Sequence, residues 1–183
     1  HQGIATTTQA ALELARGEFI TFLDHDDLLH PLALLEIARC LDSDPQLDYL
    51  YSDEDKIDVF DRHAAPFYKP DFSPEYLLSQ MYTCHLSVYR RTCLQTVQGF
   101  SSAFDGAQDF DGLLRVLETT QRIAHIPKVL YHWRAWSAST AATSSHKPYA
   151  EHRAQQALRE HFARLGWPAQ VGTGPQSGHY RVS

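Results

Sequence analysis

The chain has 183 residues, 43% hydrophobic and 21% charged, with a net charge of −6. These are the proportions of one ordinary globular domain, and the acidic balance excludes a broad nucleic-acid surface. No apolar run reaches the roughly 18 to 20 residues of a membrane helix, and Cys40, Cys84 and Cys93 lack the spacing of a disulfide framework or zinc ribbon, so reduced thiols in a cytoplasmic protein are expected.

In chain order, "IATTTQAALELARGEF" spaces its apolar residues as a helix, with Gly17 at the expected C-cap. Phe19–Asp24 reads as a buried strand, and Pro31 opens a second helix, "PLALLEIARCL". "LDYLYSD", Leu47–Asp53, reads as another strand. "RHAAPFYKPDFSP" carries three prolines and is expected to be an ordered loop, followed by a short helix in "PEYLLSQ". "CHLSVYRR" alternates as a strand, and "TCLQTV" before Gly99 reads as a short helix. "FDGAQDFDGLLRVLE" is a loop entering a helix, and "IAHIPKVLYHWR" reads as one or two strands broken at Pro127. Polar Ser137–Ser145 is the candidate mobile loop; beyond it a long amphipathic helix ends at Gly166, and "GHYRVS" reads as a last strand. The alternation of strands and helices indicates an α/β layered domain. Residues 1–136 would carry the chemistry, and residues 137–183 would supply a loop, helix and strand packed on the same domain.

The chemistry-bearing residues fall beside the expected strand ends, where α/β sheets bind ligands. Asp24 and Asp26 are spaced to point the same way from an extended backbone, so without a cation they would repel. Carboxylate oxygens suit Mg2+ or Mn2+. Asp27 or Asp26 could instead cap the following helix. Asp53 and His132 belong to the same row of strand ends if the strands run parallel. In "GAQDFDGLLR", Asp109 and Asp111 stand where a helix begins, which favours the anionic form that a general base needs; a plain capping acid is the alternative. His132 lies in an aromatic strand, either as a satisfied core residue or as an imidazole that shifts metal preference from Mg2+ toward Mn2+. His85 and Arg90 are candidate phosphate or sugar contacts, and Cys84 reads as core.

Taken in order, "GIATTTQAALELARGEFITFLDHDDLLHP", "GAQDFDGLLR" and "IPKVLYHWR" resemble family 2 glycosyltransferases of the GT-A fold, a Rossmann-like mixed sheet flanked by helices. "YSDEDKID", "FYKPDFSPEYLLSQ" and "CHLSVYRR" are similar to stretches of the bacterial O-antigen and surface-polysaccharide subgroup. The resemblance implies a metal-dependent inverting transfer from a nucleotide-sugar donor to a glycan or lipid-linked glycan acceptor. Asp24 would face the donor, Asp26 would bind the metal, His132 would complete the metal site, and Asp109 would be the catalytic base. Gln108 stands where that family commonly has Glu. The family's "VSVIIP" strand and "DDGS" segment have no counterpart here, and the chain opens on His1, so the expectation is the C-terminal part of a GT-A domain, with other domains as partners and the fragment alone inactive. Peripheral membrane contact would come through the acceptor. A metal-dependent phosphoesterase and a non-catalytic sugar-binding or scaffold remnant are the rival readings.

Overall fold

A computed structural model describes residues 3–135 and 148–183. The expected polar loop Ser137–Ser145 lies outside the described residues. Elements follow in the order α1 (Ile4–Leu14), β1 (Phe19–Thr21), β2 (Leu28–Leu29), α2 (Ala33–Ser43), β3 (Tyr49–Ile57), β4 (His63–Phe67), α3 (Pro74–Ser79), β5 (Ser87–Arg90), α4 (Arg91–Thr96), α5 (Gln108–Leu117), β6 (Ile123–Arg134), α6 (Pro148–Leu165), β7 (Val171–Thr173) and β8 (Tyr180–Val182).

The main sheet has the order β1-β5-β3-β6-β2, with β4 paired to β3, and β7 and β8 form a separate hairpin. The sheet is mixed: β3 and β6 run parallel, whereas β1–β5, β3–β5, β3–β4 and β2–β6 are antiparallel. Strand alternation splits the core into two layers. Tyr49, Tyr51 and Tyr89 face one cluster with Phe110 and Leu113 of α5 and Ala154, Ala157, Leu158 and Phe162 of α6. Leu50 and Val88, their neighbours in sequence, face the other, with Ala33 and Ile37 of α2. The α6 contacts recur at three- and four-residue steps, one face of a helix. Gly166 follows that helix with φ of +69°, as a left-handed stop requires.

Several sequence expectations are corrected. Helix α1 ends earlier than expected, with Ala15 as its C-cap, so Gly17 lies beyond it. The expected loop at residues 62–74 contains strand β4, where Pro66 is tolerated because β4 pairs with β3 alone among the described strands. Pro127 does not break β6: the β3 register steps from Ser52↔Ile126 to Asp53↔Val129, so the proline sits in a bulge with no ladder bond to make. Asp53 lies in the middle of β3, whereas His132 lies two residues before the end of β6, which runs parallel to β3.

Candidate functional site

The acidic turn is held by strand β6. Asp27 is 5% exposed. Its Oδ2 accepts from the Tyr131 hydroxyl at 2.5 Å, and its Oδ1 accepts from the Arg134 backbone N–H at 2.8 Å. The Tyr131 oxygen also accepts from the Asp24 N–H at 3.3 Å, and Arg134 Nε donates to the Asp26 carbonyl at 2.7 Å. Burial pushes the Asp27 carboxyl above its ordinary pKa, against the lowering pull of Tyr131 and Arg134. Asp27 is therefore the anchor and not a helix cap: α2 has Leu32 at its N-cap and no side-chain cap bond. With Asp27 turned inward, Asp24 is left exposed and the Asp26 side chain is 34% exposed.

Asp109 sits in the first turn of α5, where its Oδ1 accepts from the Phe110 N–H at 2.8 Å. It shares a cavity of about 160 Å³ with Asp24, His85, Cys84, Met81 and Gln108. Burial raises the Asp109 pKa above the ordinary value; the Phe110 bond and the His85 imidazole lower it, and the Asp24 charge raises it. Gln108 accepts from the Gly106 N–H at 2.8 Å, so the residue in place of the family's Glu shapes the loop before the helix. The His85 ring stacks on Tyr131 with centroids 4.5 Å apart, and the His85 backbone N–H donates to Glu54 Oε2 at 3.2 Å. One ligand atom each of Asp24, Asp27 and His85 lie within 4.8 Å of one another.

His132 is drawn to another group. It follows Tyr131 in β6, and neighbouring strand residues face opposite ways. Tyr131 meets Asp27 and His85, whereas His132 Nδ1 lies 2.6 Å from Asp55 Oδ1, on a side it shares with His63. Asp24 and Asp109 thus converge in one cavity, and His132 stands outside it. The Asp26 carbonyl accepts from Arg134, and Leu28, two residues on, pairs with His132.

Other singled-out residues are structural. Arg90 donates to Asp48, Glu18 and the carbonyls of Pro45 and Leu47, so its guanidinium is engaged within the protein. Asp53 accepts from the Lys69 N–H and meets His125 Nε2 at 2.8 Å. Asp111 is fully buried and paired with Arg115 at 2.6 Å. Tyr131, which closes the acidic turn, had no sequence signal beyond its place in an aromatic strand.

The sequence profile described as glycosyl transferase family 2 matches residues 1–97, more than half of the 183. The chain belongs to that family. This family 2 chain is 42% identical over 178 residues to the O-antigen biosynthesis protein RfbC of Myxococcus xanthus, covering 97% of the chain and 14% of that protein. It is 41% identical over 182 residues to protein y4gI of Sinorhizobium fredii, covering 98% of the chain and 20% of that protein. It therefore spans a fifth or less of the length of these two relatives. Among solved structures, S. aureus TarS 1-349 in complex with UDP-GlcNAc is similar with a TM-score of 0.62 and 16% identity, over 88% of this chain and 54% of that one. The mannosyltransferase PcManGT from Pyrobaculum calidifontis, in complex with GDP-Man and Mn2+, gives a TM-score of 0.54 at 19% identity, over 96% and 46%. The fold is that of the GT-A glycosyltransferases, matched over about half of each of these chains.

Proposed function

We propose that the protein containing this family 2 segment transfers a sugar, with inversion, from a nucleotide-sugar donor to a hydroxyl of a glycan or lipid-linked glycan acceptor in surface-polysaccharide synthesis. The observation that carries this reading is the convergence of Asp24 and Asp109 in one cavity, with Asp109 made more basic by burial. Asp109 takes the proton of the acceptor hydroxyl as that oxygen attacks the anomeric carbon. The bond to the donor diphosphate breaks on the opposite face, and its electron pair leaves with the nucleotide. Asp24 faces the donor.

The outward carboxylates of the acidic turn are oxygen donors of the kind that suits Mn2+ or Mg2+. Asp26, with Asp24 beside it, would hold such an ion, which when bound neutralises charge on the leaving diphosphate. His132, whose Nδ1 is held by Asp55, would join that set through Nε2. Work in the cytoplasm, with membrane contact made only through a lipid-linked acceptor, belongs to the same proposal; no helix among the described residues is long and apolar enough to cross a membrane.

The test is Asp109→Asn in the full-length protein. Donor binding is expected to persist while transfer falls by a factor of about 100 to 10,000, the usual contribution of a positioned base. Undiminished transfer removes Asp109 from the mechanism.

A further inference from the structure

The Lys69 side chain is wholly buried. Its ammonium donates to Glu54 Oε2 at 2.9 Å, to the Thr83 carbonyl at 2.9 Å and to the carbonyl of His85, so each of its three protons has an acceptor. Glu54 is also buried, and the same Oε2 accepts from the His85 backbone N–H. His85 is thus held at both of its backbone polar groups, the N–H by Glu54 and the carbonyl by Lys69. Sheet register brings the pair together. Glu54 of β3 and Phe67 of β4 are partners, and two residues beyond Phe67 the Lys69 N–H donates to Asp53 Oδ1 at 2.9 Å.

What the pair holds is a wall of the cavity that contains Asp24 and Asp109. The His85 ring lies on Tyr131 with an interplanar angle of 11°, and the Trp133 ring meets it edge-on with centroids 5.8 Å apart. One His85 nitrogen lies within 4.8 Å of an Asp24 carboxylate oxygen. The imidazole therefore stands beside the donor-facing carboxylate, in the cavity of the base, and its aim depends on the backbone beneath it. Neither Lys69 nor Glu54 lines that cavity. A buried ion pair contributes little net stability, because the cost of taking both charges out of water offsets their attraction. What this pair does is fix geometry.

We propose that Lys69 and Glu54 are positioning residues for sugar transfer that act through His85, by fixing the backbone that aims its imidazole at the donor's sugar-diphosphate between Asp24 and Asp109. The inference rests on the transferase reading. A hydrogen-bonding group misplaced by about 1 Å at a reacting centre can cost about 100-fold in rate, so a clamp on the backbone is felt in turnover without touching substrate.

The experiment measures steady-state transfer and donor binding in the full-length protein for Lys69→Met, Glu54→Gln and His85→Ala, and for each of the first two combined with His85→Ala. Lys69→Met is expected to lower kcat about 10- to 100-fold while donor Kd stays within about twofold. Glu54→Gln weakens the bonds without removing them, so a smaller loss of the same kind is expected. In the His85→Ala background neither substitution should cost more, because residues that act through one group are not additive. Losses that multiply in the double variants overturn the proposal, as does an unchanged kcat in the single ones. Glu54→Gln keeps the size and one acceptor oxygen, so it carries the test should Lys69→Met fail to fold. Hydrogen exchange gives a readout that needs no turnover: the amides of residues 83–87 are expected to exchange faster in both single variants, and exchange at the parent's rate overturns the clamp. The transferase reading fails separately, through undiminished transfer in Asp109→Asn.

Discussion

Asp109 illustrates a conflict between stability and chemistry at a single carboxyl group. Its pKa is raised, first by burial, so the folded chain favours the neutral acid. The stabilisation is fully present below the ordinary value of 3.8 and is lost as pH rises through the higher folded-state value. At neutral pH the ionised group is a burden on the fold. Asp109→Asn is therefore expected to raise Tm at neutral pH and to lose that advantage toward acid, measured by calorimetry across a pH series. The transfer rate of the parent should show an acid limb above 3.8, because the base must first lose its proton. Asp111, two residues on, has a structural part instead. It is fully buried and paired with Arg115. Asp111→Ala removes a buried partner of Arg115, which keeps its bonds to the Val97 and Gly99 carbonyls, and should cost about 1 to 3 kcal/mol in denaturant unfolding, with no direct effect on chemistry.

At the scale of elements, the acidic turn owes its shape to a strand distant in sequence. Tyr131 and Arg134 of β6 supply the bonds that hold Asp24, Asp26 and Asp27 in place. Tyr131→Phe keeps the ring packing but leaves the buried Asp27 without its hydroxyl donor. A loss of about 1 to 3 kcal/mol in stability is expected, with weaker donor binding in a titration and no shift of the acid limb. The contrast between Asp24 and Tyr131 shows what was legible in the sequence. The DxD pattern and the helix start at Asp109 are local, and their chemistry can be read from neighbouring residues. The partners Asp27–Tyr131 and Asp55–His132 are joined only by sheet register, which a single sequence does not reveal. Strand β4 was hidden for another reason: a proline at a sheet edge looks the same in sequence as a proline in a loop. Pro127 misled in the same way, because a bulge in β6 absorbs it.

For the molecule as a whole, the α/β layering and the order of its motifs were legible, since helix and strand periodicities alternate clearly along the chain. The mixed strand directions came only with the family resemblance, because periodicity carries no direction. The segment corresponds to about half of the TarS and PcManGT chains that it resembles. Donor binding is therefore a property to measure in the full-length protein. There, chelator treatment is expected to abolish metal-dependent binding of the nucleotide sugar, and Mn2+ to restore it more fully than Mg2+, followed by titration before and after metal addition. Binding that survives exhaustive chelation would contradict the ion assigned to the acidic turn.

Strand β6 works like a zip whose adjacent teeth engage different rows: the phenol of Tyr131 serves one surface of the sheet and the imidazole of His132 the other. Such a device tolerates swaps of side chain far better than changes of length. One residue inserted just before Tyr131 would exchange the two rings between surfaces, so both the clasp on the DxD turn and the histidine–aspartate cluster would fail together. Natural variation in this segment should accordingly spare its spacing even where it alters its composition.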